Sequence, residues 1–173
     1  GQRSNAMQRI SFRKVKASVY HIQPTDDDIL HFSLDDLLPD SHTMALNLSL
    51  GTLSLIANSH DNPYPYLLAE QQFTASELCV LIPLLKHHPH YCPYEVLLAS
   101  FNNGNINEAT IERSRNRLYE AQLEGIWDQE MRPVRNVLSR ARLKMRAFSI
   151  EISSILETGY VLMRLSERKR LEA

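Results

Sequence analysis

A dense group of basic side chains occupies one short segment of the chain, and side chains of this type bind phosphate groups. Between Met131 and Ser149 the sequence contains no Asp or Glu, although the whole chain has a formal net charge of only −1. Like charges repel one another, so such a segment needs an anionic partner. Phosphates are suitable partners, because each arginine that meets one releases a condensed counterion. The candidate cations are Arg132, Arg135, Arg140, Arg142, Lys144 and Arg146.

The same segment has the periodicity of an amphipathic helix, predicted over Arg132–Phe148. At about 100° per residue, its apolar side chains fall within an arc of about 100°, which would face a core. They are Val134, Val137, Leu138, Ala141, Met145 and Phe148. The opposite side carries Arg132, Arg135, Ser139, Arg142 and Arg146, and the other flank carries Arg140 and Lys144. A second interpretation stays open, in which the acidic stretch EGIWDQE (residues 124–130) neutralises a solvated basic face.

Elements on both sides of this helix can be predicted from local signals. IEISSIL and YVLM (residues 150–156 and 160–163) flank Thr158-Gly159, which indicates a β-hairpin. Three earlier helices are also expected. The first begins at Thr74, where Glu77 completes a capping box, the second begins at Pro93, and the third covers Asn107–Leu123.

The part of the chain before these helices has the character of strands and turns. Apolar residues alternate from Met44 to Leu50 and again from Leu53 to Ala57, which predicts two half-buried strands separated at Gly51. Residues 9–22 alternate loosely, as a strand would. The acidic residues 24–43 contain two prolines and are expected to form turns and a linker.

Three segments, in this order, resemble the effector domain of OmpR/PhoB-type response regulators. FTASELCVLIPLL (residues 73–85) is similar to the opening helix of that family, VRNVLSRARLKM (134–145) to its recognition helix, and IEISSILETGYVL (150–162) to its closing hairpin. The resemblance implies an α+β winged helix-turn-helix fold, with an N-terminal antiparallel sheet, three core helices plus one inserted helix, and a C-terminal β-hairpin wing. It also implies a bacterial transcription regulator that places its basic helix in the major groove of double-stranded DNA.

The resemblance divides the basic helix and wing into two roles. Base edges would be read by residues on the exposed face, namely Arg135, Asn136 and Ser139, with Arg142 and Arg146 beside them. Phosphates would be held by Arg132, Arg140, Lys144 and, through its hydroxyl, Thr158. Arg140 or Arg142 could instead pair with an acidic residue inside the domain.

The chain departs from the family between the second and third core helices. About thirty residues, Asn102–Met131, stand where the family has a short loop. The inserted helix carries IERSRNRL, so it is a second candidate for the recognition helix, although the later helix adjoins the hairpin and has the tighter apolar stripe. The insertion could also contact RNA polymerase or a second copy in a homodimer.

The wing departs as well, because Glu157 lies near its tip and no Lys or Arg occurs between Ile150 and Met163. The alternative function is therefore a winged-helix protein–protein interaction module that uses the inserted helix and the acidic wing.

The predicted organisation has five parts. Residues 1–6 are interpreted as the remnant of an expression tag, 7–43 as an N-terminal extension and 44–165 as the winged-helix domain, with the inserted helix at about 107–124. Residues 166–173 form a basic C-terminal tail. No receiver domain is recognised, so the chain is expected to be an effector domain from a longer protein or one with a private extension.

Neither enzymatic chemistry nor a cofactor is predicted. The five glycines form no GxSxG, P-loop or Rossmann pattern. Zinc or copper could be bound by imidazole and thiolate groups of one loop, but their spacing matches no closed zinc site, so no metal is predicted; they are His87, His88, His90 and Cys92. The two cysteines are interpreted as reduced thiols, and with no signal peptide or membrane span recognised, a cytoplasmic location is expected.

Overall fold

The computed structural model describes residues 28–58, 61 and 64–165. Within this part the fold is α+β, with four α-helices and two antiparallel sheets. The described residues divide into two compact units, with the boundary between Thr74 and Ala75. Among the helices described, none has the length and apolar character needed to cross a membrane.

The first unit contains a four-stranded antiparallel sheet with the strands in sequence order. Its strands are β1 (Ile29–Phe32), β2 (His42–Asn47), β3 (Thr52–Ala57) and β4 (Tyr66–Gln72). Alternation along β2 and β3 buries one face, where Met44 lies opposite Leu55 and Leu46 lies opposite Leu53. Gly51 closes the turn between them with φ of 73°, a left-handed conformation that glycine adopts without a steric penalty.

The sheet corrects one prediction and confirms another. The stretch 24–43 was expected to be turns and a linker, but Ile29–Phe32 form a strand that pairs with β2. Four residues are too few to show a periodic pattern, which is why β1 is not predicted from the sequence.

The two strands predicted around Gly51 are confirmed, although Leu48 and Leu50 lie in the turn. The expected boundary at residue 43 falls inside β2. The predictions for residues 1–6, 9–22 and 166–173 concern parts of the chain outside the described residues.

The second unit packs helices against a three-stranded sheet of order β5-β7-β6. The elements are α1 (Ala75–His87), β5 (Cys92–Pro93), α2 (Tyr94–Asn103), α3 (Glu108–Leu123), α4 (Trp127–Met145), β6 (Ile150–Ile155) and β7 (Gly159–Arg164). A 3-10 turn, Arg146–Phe148, follows α4. The hairpin and the first three helices are therefore confirmed. The fourth helix begins at Trp127 rather than Arg132 and continues through Pro133.

The core of the second unit is built around the apolar stripe of α4. Val134, Leu138, Ala141 and Met145 are all buried, as the helical periodicity predicts. This stripe packs against α1 and β6. Burying each large apolar side chain contributes roughly 1.5–3 kcal/mol. The packing fixes which faces of α4 turn toward α1, toward the hairpin and toward solvent.

The inserted helix α3 is locally well specified. Asn107 caps its N-terminus, because the Asn107 side chain accepts from the Thr110 backbone and the Thr110 hydroxyl accepts from the Asn107 backbone. Its buried positions are few and mostly small: Thr110, Ser114, Leu118 and Ala121. A narrow buried face leaves most of α3 on the surface of the unit, where it is available for contacts.

Candidate nucleic-acid interface

A buried carboxylate of α1 meets one flank of the basic helix. The side chain of Glu77 is only 2% exposed, and its Oε1 accepts a hydrogen bond of 2.7 Å from Lys144 Nζ. Arg140 Nε lies 3.5 Å from Glu77 Oε2, with its own side chain half exposed. An ionised carboxylate is costly to bury without cationic partners. Lys144 therefore serves to neutralise Glu77 and to join α4 to α1.

A second buried carboxylate, from the hairpin, meets the other flank. Glu151 of β6 is buried, and its carboxylate oxygens lie 3.5 Å from Arg146 Nε and 3.8 Å from Arg142 Nε. Arg142 Nε also donates a hydrogen bond of 2.9 Å to the backbone oxygen of Ile152. These contacts join α4, through Arg142, and the 3-10 turn after it, through Arg146, to β6. The two arginines thus hold the hairpin on the end of the helix.

The two carboxylates correct the charge argument made from sequence. The lack of Asp and Glu between residues 131 and 149 does not leave α4 uncompensated, because its partners come from α1 and β6. Arg142 and Arg146, predicted to read bases, and Lys144, predicted to hold a phosphate, are all engaged inside the unit. The alternative in which Arg140 or Arg142 pairs with an acidic residue inside the domain is observed for both, with Glu77 and Glu151 respectively.

Arg135, also predicted to read bases, is turned toward the start of its own helix. Its Nη1 lies 3.2 Å from Asp128 Oδ1, and its guanidinium stands over the Trp127 ring at 5.1 Å from the centroid. The Trp127 ring in turn makes an edge contact with Tyr94, with centroids 4.9 Å apart. The acidic first turn of α4 thus neutralises Arg135 through Asp128, while Glu130 of the same turn pairs with Arg117 of α3. Neutralisation of the basic face by the acidic stretch at residues 124–130 is therefore observed for Arg135.

What remains toward solvent is a narrow stripe, the α4 outer face. Its side chains recur every three or four positions, which places them on one side of a helix. They are Arg132, Asn136, Ser139, Arg140 and Leu143, and all are exposed. The side chains of Arg132, Asn136 and Ser139 form no hydrogen bond or ion pair within the part of the chain that the structure describes. Sequence reasoning found four of these five residues and missed Leu143.

The hairpin tip carries polar and apolar side chains but no basic one. Thr158 lies in the turn between β6 and β7, where its hydroxyl donates a hydrogen bond of 3.0 Å to the backbone oxygen of Leu156. Leu156 and Glu157 beside it are exposed. The Thr158 oxygen predicted to meet a phosphate therefore already donates its proton internally.

The histidine- and cysteine-containing loop does not assemble into a metal site. His87 Nδ1 is 2.8 Å from the backbone oxygen of Pro83, and Cys92 is fully buried in β5. Burial raises the pKa of Cys92 to about 12, so its sulfur is a neutral thiol at neutral pH rather than a thiolate ligand. No group of three or more His, Cys, Asp and Glu residues in the described ranges could hold an ion.

The two thiols are expected to differ in reactivity. Burial also raises the pKa of Cys79, but this side chain is only partly covered. At pH 8 Ellman's reagent should modify Cys79 slowly and leave Cys92 untouched, since a raised pKa lowers the thiolate fraction at that pH. Both should react at once in denaturant. In folded Cys79→Ser protein the remaining thiol is that of Cys92. Its rapid modification would contradict the burial of Cys92 in β5.

Comparisons of this chain with protein-family models, with curated proteins and with solved structures find no match.

Proposed function

We propose that the chain is a sequence-specific DNA-binding transcription regulator that docks helix α4 in the major groove of double-stranded DNA. The observation that carries this proposal is the α4 outer face. An α-helix fits the major groove, and Arg and Asn side chains match base edges there with paired hydrogen bonds. Its two charged residues, Arg132 and Arg140, are both cations, so the face suits the phosphates that border a groove.

The internal ion pairs support the proposal by holding the helix. Lys144 joins α4 to α1 through Glu77, and Arg142 joins α4 to β6. A helix fixed from both sides presents its outer face without reorganising on binding, which lowers the cost of association. Lys144, Arg142 and Arg146 are then positioning residues, and the DNA contacts fall to Arg132, Asn136, Ser139 and Arg140.

The finer fold assignment belongs to the same proposal. The short strand β5 stands between α1 and α2 and pairs with β7, and the hairpin follows α4 after one 3-10 turn. This order supports a winged helix of OmpR/PhoB type, in which α1, α2 and α4 are the core helices, α3 is the insertion and β6–β7 is the wing. An RNA polymerase contact through α3, a homodimer and a cytoplasmic setting in a bacterium are parts of the proposal that follow from the resemblance.

Arg132→Ala tests the proposed interface. We expect it to weaken binding to a selected duplex by about five- to tenfold, because one phosphate contact is lost. The slope of log affinity against log salt should become shallower by about 0.9, with no change in base preference. Fluorescence anisotropy across a salt series measures both quantities, first on random duplex and then on a sequence selected from a random pool.

Arg113→Ala is the matched control, because Arg113 is an exposed arginine of α3 that has no ion pair or hydrogen bond among the described residues. It should leave both the affinity and the slope unchanged. If Arg113→Ala weakens binding and Arg132→Ala does not, the helix that carries IERSRNRL reads the DNA instead. No binding at low salt by folded protein would end the DNA proposal.

A second candidate function is favoured by apolar exposure on the inserted helix. Tyr119 and Leu123 are exposed one turn apart on α3, and Leu156 is exposed at the hairpin tip. Exposed apolar side chains that cluster can form a protein interface. A protein–protein interaction module would use this surface, and its binding should respond weakly to salt because apolar burial dominates it.

A further inference from the structure

One leucine stands on the α4 outer face among polar side chains. Leu143 is 65% exposed, and it follows Ser139 and Arg140 by one helical turn. The buried stripe of α4 lies on the opposite side of the helix. Packing inside the second unit therefore gives no reason for a large apolar residue at this position.

The chemistry of the major groove offers a reason. The base edges there present hydrogen-bond donors and acceptors, and their apolar group is the methyl on C5 of thymine. Leucine has neither donor nor acceptor, so on a base edge it gains affinity by covering that methyl. Arg132, Asn136, Ser139 and Arg140 provide the polar contacts on the same face, and Leu143 complements them.

Spacing along the helix sets where such a contact falls. Leu143 is seven residues after Asn136, which is roughly 10 Å along a helix that rises 1.5 Å per residue. Bases are stacked about 3.4 Å apart. Because α4 can be inclined to the DNA axis, a contact by Leu143 lies at most about three base pairs from the pair that faces Asn136.

We propose that Leu143 is a specificity-determining residue that reads the 5-methyl group of a thymine within about three base pairs of the contact of Asn136. This inference rests on the proposed function. 5-Methylcytosine carries the same methyl at the same ring position, so the shared chemistry is a pyrimidine 5-methyl group, and duplexes that differ in this group alone separate the two sources.

The experiment replaces each thymine of a selected duplex, one at a time, by uracil. Uracil keeps every hydrogen-bonding group of thymine and lacks only the methyl. We expect the wild-type chain to lose about fourfold in affinity at one position, which is the effect of one uncovered methyl group. Leu143→Ala should bind thymine and uracil equally at that position.

Leu123→Ala is the matched control, because Leu123 is a leucine 70% exposed on α3. It should keep the thymine preference of the wild type. A further pair of duplexes carries cytosine or 5-methylcytosine at the sensitive position. If the wild type, but not Leu143→Ala, binds the 5-methylcytosine duplex more tightly than the cytosine duplex, the methyl contact is supported and extends to methylated DNA. If the wild type prefers thymine to uracil but not 5-methylcytosine to cytosine, the contact is supported for thymine alone.

Two results would overturn the assignment while DNA binding stands: equal affinity for thymine and uracil at every position, or a uracil effect that Leu143→Ala retains. Circular dichroism checks that each variant is folded. Failure of the folded wild type to bind any duplex would instead remove the proposed function, and the Leu143 contact with it.

Discussion

Gly159→Ala is expected to lower the free energy of unfolding of the second unit by about 3 kcal/mol, the upper range for overpacking. A Cβ at Gly159 would lie 2.1 Å from the backbone oxygen of Cys92 and 2.9 Å from Pro93 Cα. These atoms belong to β5, and Pro93 is paired with Gly159 across the sheet. Backbone atoms cannot rotate away as a side chain can, so β5 and β7 must separate to admit the methyl group.

Urea denaturation of the wild type and two glycine variants measures this effect. Gly104→Ala is the control, because a Cβ at Gly104 meets nothing within 4 Å although φ is 73°. That variant should cost only the strain of a left-handed alanine, about 1 kcal/mol. A loss at Gly159 no larger than the loss at Gly104 would show that β5 moves aside for the added methyl group at little cost, which would contradict this prediction.

The fold could be predicted from sequence where local patterns determine it. The α4 stripe around Val134 and Leu138 and the hairpin turn at Thr158-Gly159 are read within a few residues, and the structure has both. β1 and β5 were missed because strands of four and two residues show no periodicity. They exist because other strands pair with them, and the closeness of Gly159 to Cys92 has the same long-range origin.

The candidate site could be predicted only in part, for the same physical reason. A helical wheel places the cations of α4, but it cannot show which of them find partners elsewhere in the chain. Glu77 precedes Lys144 by 67 positions, and tertiary packing alone brings them together. Glu151 does leave a signal in the sequence, since it is the one charged residue of strand β6, whose other members are Ile and Ser. Once Glu77 and Glu151 are known to pair with cations of α4, the side chains that remain on its outer face are those around Asn136 and Ser139.

Lys144→Met is expected to destabilise the second unit by about 3 kcal/mol, because it removes the closest cation from a buried carboxylate. Breaking one side of a buried ion pair typically costs 3–5 kcal/mol. Arg140 stays near Glu77 at 3.5 Å, and Lys144 itself is 31% exposed, so the lower end of that range applies. Methionine preserves the unbranched apolar stem, which separates the loss of charge from a loss of packing.

Lys86→Met is the matched control for this change, because Lys86 is an exposed lysine of α1. It should change the unfolding free energy by less than about 0.5 kcal/mol in the same urea titration. Adding Glu77→Gln to Lys144→Met should recover part of the loss, since the uncompensated carboxylate is gone. A Lys144→Met protein as stable as the control would mean that Arg140 alone compensates Glu77.

The same variant separates a positioning role for Lys144 from a contact with DNA. A lysine that only holds α4 against α1 neutralises no phosphate, so the salt slope of DNA binding should be unchanged in folded Lys144→Met protein. A lysine that also meets a phosphate would make the slope shallower by about 0.9, as expected for Arg132→Ala. Because Lys144 Nζ already donates to Glu77 Oε1 at 2.7 Å, we expect stability to fall and the slope to stay constant. Lys144 would then belong to the cations that hold α4 in place, whereas Arg132 belongs to those that touch the DNA.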